Sequence, residues 1–165
     1  MITLVLGGAR SGKSAYAERM MMRQPPPITY VATLLTGDDP DLVSRVERHR
    51  LRRPSSWSTV EAGLDLAEIL RATSGSVLLD SLGPWVAAHD QLEAVDGAAL
   101  CRALTERQGE TVVVSEEVGL GVHPSSEIGR HFRDALGSLN QAVASVSDRV
   151  LLVVAGRALR LDEEP

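Results

Sequence analysis

The chain has 165 residues, 44% hydrophobic and 24% charged, enough for one self-supporting core. A net charge of −5 argues against a general nucleic-acid or anionic-membrane surface, and one cysteine, Cys101, excludes internal disulfides and paired-cysteine metal sites. No apolar run reaches the roughly 18 residues of a membrane span, and the opening MITLVLGGARSGKS lacks the basic lead and cleavage site of a signal peptide, so a cytoplasmic chain is expected.

In chain order, the apolar run 2–6, ended by Gly7-Gly8, predicts a buried strand. Ala15, Ala17, Met20 and Met21 predict a helix from Lys13 to about Arg23, stopped by Pro25-Pro26-Pro27. Residues 28–32 read as a second strand, and Asp39-Pro40 as the cap and first turn of a helix running to about Arg50. Residues 58–60 read as extended, 64–71 as a helix and 76–80 (SVLLD) as a buried strand. Helices are expected to begin near Pro84 and to cover 98–107, with a strand over 111–115 and a Gly- and Pro-containing loop over 116–125. A long amphipathic helix then carries Ile128, Phe132, Leu136, Leu139 and Val143 on one face. Residues 150–155 form the last buried strand, with a short extension over 158–161. Continuous apolar strands alternating with helices predict a mostly parallel sheet covered on both faces, in one three-layer α/β domain spanning 1–165.

Gly7-Gly8-Ala9-Arg10-Ser11-Gly12-Lys13-Ser14 satisfies G-x-x-x-x-G-K-[ST], between a strand and a helix as that motif requires. The glycines let backbone N–H groups converge on phosphate oxygens, beside the positive end of the helix. Lys13 can reach the β- and γ-phosphates, and the Ser14 hydroxyl can ligate Mg²⁺. The competing reading is a Gly-rich turn. The acidic partner such a loop needs is Asp80, at the end of its strand, where a compatible reading makes it a turn or cap residue. Asp80-Ser81-Leu82-Gly83 also spells the D-x-x-G of switch GTPases, but Lys13 is the only lysine beside sixteen arginines, so no N-K-x-D motif can exist.

Arg45, Arg48, Arg50, Arg52 and Arg53 surround His49. On the expected helix His49 shares a face with Leu42 and Val46, which reads as a half-buried core histidine. The alternative is a nucleophile: neutral imidazole attacking phosphorus while guanidiniums neutralise the phosphates and hold its pKa down. His89, His123 and His131 show no metal-ligand spacing.

Taken together, GGARSGKSAYAE, YVAT (30–33), RVERHRLRRPSSWSTVE (45–61), LLDSLGPWV (78–86), EVGLGVHP (117–124), GRHFRDALGSLNQ (129–141) and DRVLLVVAG (148–156) resemble the bifunctional adenosylcobinamide kinase / adenosylcobinamide-phosphate guanylyltransferase family of the cobalamin pathway. The likeness runs in order along essentially the whole chain. It implies a RecA-like P-loop sheet and a homotrimer. It also implies phosphorylation of adenosylcobinamide by ATP or GTP, then GMP transfer from GTP through a guanylylated histidine. The matching nucleophile is His49, and Lys13 and Asp80 are the other catalytic candidates. The phosphate loop is Gly7 to Ser14, with Ser14 and Asp80 toward Mg²⁺. Thr33, Leu34, Leu35, Arg50, Leu51, Arg52, Arg53, Glu61 and Asp80 fall where the family places further GTP contacts. Three departures stand out: Glu116 where asparagine often precedes E-V-G, Ser81 where cysteine is common, and a short stretch over 87–97. They leave the kinase general base open between Asp80 and Glu117. The rival expectations are a plain P-loop kinase of a small metabolite, with His49 structural, and a nucleotide-binding regulator without turnover.

Overall fold

The computed structural model of the chain describes residues 1–34, 50, 51, 53–89, 92 and 95–161. Seven strands form one sheet: β1 (Ile2–Gly7), β2 (Ile28–Ala32), β3 (Ser58–Glu61), β4 (Ser76–Asp80), β5 (Thr111–Glu116), β6 (Arg149–Val154) and β7 (Arg157–Arg160). Five described helices pack on it: α1 (Lys13–Met21), α2 (Leu66–Ala72), α3 (Leu82–Ala87), α4 (Gly97–Glu106) and α5 (Glu127–Ser145). The strand order is β3-β2-β4-β5-β1-β6-β7, and all pairings are parallel except β6 with β7.

The alternation of side chains along a strand decides which helix meets which residue. Leu4, Leu6, Val77, Leu79 and Val113 face one side, where Leu66 and Leu70 of α2, Trp85 and Val86 of α3, Leu100 and Leu104 of α4, and Leu136, Leu139 and Val143 of α5 cover them. Val5, Leu78, Val112 and Val114 face the other, with Ala17 and Met21 of α1. With few aromatics available, aliphatic side chains fill both layers. The buried Trp85 still satisfies its indole N–H, which donates to the Leu64 carbonyl at 3.1 Å.

The strands predicted at 28–32 and 76–80 have those bounds; the others run one residue longer or shift by one. Three expectations are corrected. The helix expected near Pro84 begins at Leu82, because proline is tolerated in a first turn whose amides have no intrahelical acceptor anyway. Ile128, placed by periodicity on the apolar face of α5, is 72% exposed, since this first turn lies beyond the core cluster. The two edge strands are also not covered as a doubly buried sheet would be. β7 is exposed throughout and folds back antiparallel through Ala155 (φ 50) and Gly156 (φ 75), both in the conformation of a tight hairpin turn. The helix expected over 39–50 lies outside the described residues except for Arg50, which is helical together with Leu51.

Leu136 is fully buried where α5 meets the sheet. Leu136→Ala is expected to lower unfolding free energy by about 2–5 kcal/mol, read from urea denaturation. A loss below about 1 kcal/mol would mean that this helix is not part of the cooperative core.

Candidate active site

Parallel strands end on the same edge of the sheet, so the ends of β4, β5 and β1 stand side by side. The chain leaves β1 there and crosses to β2, three places away, and such a switch in strand order opens a crevice above the carboxyl ends. Residues 8–12 curl across this crevice. Arg10 (φ 57) and Gly12 (φ 90) take left-handed conformations, and a Cβ on Gly12 would also meet the Gly156 Cα at 3.2 Å. Gly12 has no side chain to cap α1, and the Lys13 N–H meets only the Ser11 hydroxyl, at 3.4 Å, so the positive end of the helix opens toward the crevice in an arrangement suited to phosphate. Ala9 and Arg10 are exposed, and Gly8, Ser11 and Gly12 are half-buried.

Lys13 is buried, with its ammonium 3.4 Å from the Gly8 carbonyl and 3.4 Å from Glu116 Oε1. Ser14 donates its hydroxyl to Asp80 Oδ1 at 3.1 Å, and Tyr30 donates its phenol to Asp80 Oδ2 at 3.0 Å. Burial pushes the Asp80 carboxyl above its ordinary value, and the Glu116 charge adds to the rise; the Tyr30 and Ser14 hydrogen bonds and the Lys13 charge act against it. Burial, followed by the Asp80 charge, raises the Tyr30 phenol. Arg53 lies over the Tyr30 ring at 3.5 Å from its centroid. The cap of α3 is Ser81, not Asp80, so the turn-or-cap reading of Asp80 gives way to one that faces Ser14.

Thr33 is buried and both donates to the Ser81 carbonyl and accepts from the Ser81 N–H at 3.0 Å, tying the ends of β2 and β4 together. Leu34 is half-buried, whereas Arg50, Leu51 and Glu61 are exposed. Leu35, His49 and Arg52 lie outside the described residues. Glu117 Oε1 accepts the Gly119 N–H at 2.6 Å. Two residues were missed in the sequence. Glu116 ends TVVVSE as Asp80 ends SVLLD, and that parallel was available; Tyr30, a phenol inside an apolar strand, needed a buried partner.

The Ser14 and Asp80 oxygens are hard donors suited to Mg²⁺, which takes few protein ligands and completes its shell from water and phosphate. Among the described residues no group of three His, Cys, Asp or Glu could hold an ion by itself. An open groove of 1310 Å³ between α4 and α5, lined by residues such as Leu92, Cys101, His131 and Leu139, shares no residue with the phosphate loop.

The family model for cobinamide kinase / cobinamide phosphate guanyltransferase matches residues 3–161. The chain belongs to this family. It is 40% identical to the bifunctional adenosylcobalamin biosynthesis protein CobP of Pseudomonas aeruginosa, over 100% of this chain and 99% of that protein. It is 32% identical to the bifunctional adenosylcobalamin biosynthesis protein CobU of Salmonella typhimurium, over 98% of this chain and 99% of that one. Among solved structures, a prototypical ATPase from a bacterial type III secretion system superposes with a TM-score of 0.55 at 12% identity. The match covers 96% of this chain but 56% of that ATPase, and it shows a shared fold alone.

Asp80 carries a carboxyl whose burial works against the stability of its charged form. Its folded-state proton is held more tightly than in the unfolded chain, so stability falls as pH rises from the ordinary 3.8 through the raised folded value. Asp80→Asn is expected to remove that decline and to unfold at higher urea than wild type at neutral pH in chelator. The same variant should lose the tightening of nucleotide binding by Mg²⁺. A variant less stable than wild type at neutral pH would contradict this account.

Proposed function

We propose that this chain is a cytoplasmic, homotrimeric enzyme that phosphorylates adenosylcobinamide with ATP or GTP. It then transfers GMP from GTP to the product, giving adenosylcobinamide-GDP and pyrophosphate. The observation that carries this reading is the convergence of Lys13, Ser14 and Asp80 under an uncapped helix, in a chain matched by the family from residue 3 to 161.

In the first step the substrate hydroxyl attacks the γ-phosphorus while loop amides and Lys13 hold the phosphates in line. Ser14 and Asp80 would hold Mg²⁺, which when bound supplies charge neutralisation on the phosphate oxygens. In the second step the His49 imidazole attacks the α-phosphorus of GTP, forming a P–N bond and expelling pyrophosphate. The cobinamide phosphate oxygen then displaces the histidine. Dividing one transfer between two anions into two steps lets arginine guanidiniums screen each anion as it approaches.

His49 enters through the match of H-R-x-R-R-P to the family. One geometric fact brings the described end of that motif, Arg53, to this cleft. Arg53, four residues further on, stacks on Tyr30, whose phenol bonds to Asp80.

Incubation with GTP labelled at the α-phosphate tests the second step. Acid-labile, base-stable label is expected on the wild-type protein and not on His49→Ala. Wild-type protein that takes up no label would leave a kinase with a structural His49.

A further inference from the structure

Glu116 is anchored from two directions. Its carbonyl accepts from Asn140 Nδ2 at 3.0 Å, and the Asn140 Oδ1 in turn accepts from the buried Ser115 hydroxyl at 2.6 Å. Its carboxylate lies against the start of α3, where Oε2 accepts the Gly83 N–H at 2.9 Å and Oε1 accepts the Ser81 hydroxyl at 2.8 Å. A Cβ at position 83 would stand 2.2 Å from Oε2, so this close approach needs glycine there. The Lys13 ammonium is at 3.4 Å from the same Oε1.

A triphosphate in the loop draws a P-loop lysine toward its β- and γ-oxygens. The carboxylate cannot follow, because Ser81 and Gly83 hold it. Oε1 can accept two hydrogen bonds, and Ser81 uses one of them. Its second acceptor position, next to the loop that holds the transferring phosphoryl group, then falls to a hydroxyl. The other carboxylates considered for this role have other tasks or partners, Asp80 being the one proposed to hold Mg²⁺. Asp80 is buried between Ser14 and Tyr30, and Glu117 faces Gly119.

We propose that Glu116 accepts the hydrogen bond of the substrate hydroxyl and takes its proton during phosphoryl transfer. This rests on the kinase activity proposed above. The O–H bond breaks with its proton passing to Oε1, and the substrate oxygen forms a bond to the γ-phosphorus. The bond from that phosphorus to the β–γ bridging oxygen breaks, its electron pair leaving on the nucleoside diphosphate. Glu116 then returns the proton to water.

The test compares wild type, Glu116→Gln and Glu116→Asp. Transfer of γ-label to cobinamide is measured alongside calorimetric titration with the magnesium complex of a non-hydrolysable triphosphate. Glu116→Gln keeps a carbonyl oxygen for the Gly83 N–H, and its amide can donate to the Ser81 hydroxyl, which reverses its role and accepts. This variant should lose about 100-fold or more in kcat, with nucleotide Kd no weaker than wild type, and Glu116→Asp should recover part of the rate. A kcat within about threefold of wild type overturns the assignment. So does a fall in kcat matched by an equal weakening of nucleotide binding, which would make Glu116 a support for the loop. Absence of transfer by the wild-type chain overturns the proposed activity and this assignment with it, whereas a wild-type rate matched by Glu116→Gln overturns the assignment alone.

Discussion

The phosphate site turns on a carboxylate removed from water. An isolated charge buried in protein is unfavourable by several kcal/mol, and hydrogen bonding and an opposite charge make it tolerable. Asp80 has both: donors in Ser14 and Tyr30, and the Lys13 ammonium in the same crevice. The partial compensation is what suits the residue to the Mg²⁺ role proposed for it. A carboxylate fully satisfied by its neighbours would have no reason to bind a cation, while one destabilised by burial gains when a cation arrives.

Sheet topology sets this up before any side chain is chosen. β4, β5 and β1 are adjacent and parallel, so their final residues and the loops beyond them gather at one edge. Asp80 closes β4, Glu116 closes β5, and the loop leading to Lys13 leaves the end of β1. An antiparallel β5 would have sent Glu116 to the opposite edge. The two helical layers divide the work as well. α1 presents its open N-terminus to the crevice, while α5 pins the end of β5 through Asn140.

The alternation of apolar strands with helices was readable because doubly buried strands leave long runs of Val, Ile and Leu. The phosphate loop was readable because its glycines, lysine and serine lie close together along the chain. Glu116 and Tyr30 were harder for the opposite reason. Their partners, Lys13 and Asp80, are remote in sequence, and only strand order brings them together. Ile128 shows the converse limit, since periodicity reports which face a residue is on and not how far the core beneath that face extends. Thr33 has a further lesson. Expected as a nucleotide contact, it spends its hydroxyl on the Ser81 backbone and so fixes where Asp80 stands.

One lysine among sixteen arginines also has a physical reading. Arg107 spans the carbonyls of Thr73, Gly75 and Glu110 and the Thr111 hydroxyl, a spread of acceptors that suits a planar fork. Arg53 uses its flat face on an aromatic ring. Lys13 occupies a different kind of place, between a backbone carbonyl and a carboxylate under a tight glycine loop, where a compact ammonium fits and can exchange partners by a small rotation. That mobility of partner, not cationic charge alone, distinguishes the position. It also explains how a chain of net charge −5 can receive a polyanion. The sum of charges describes the solvated surface, where salt screens it. Binding in the crevice is decided by a few desolvated groups whose interactions are screened much less.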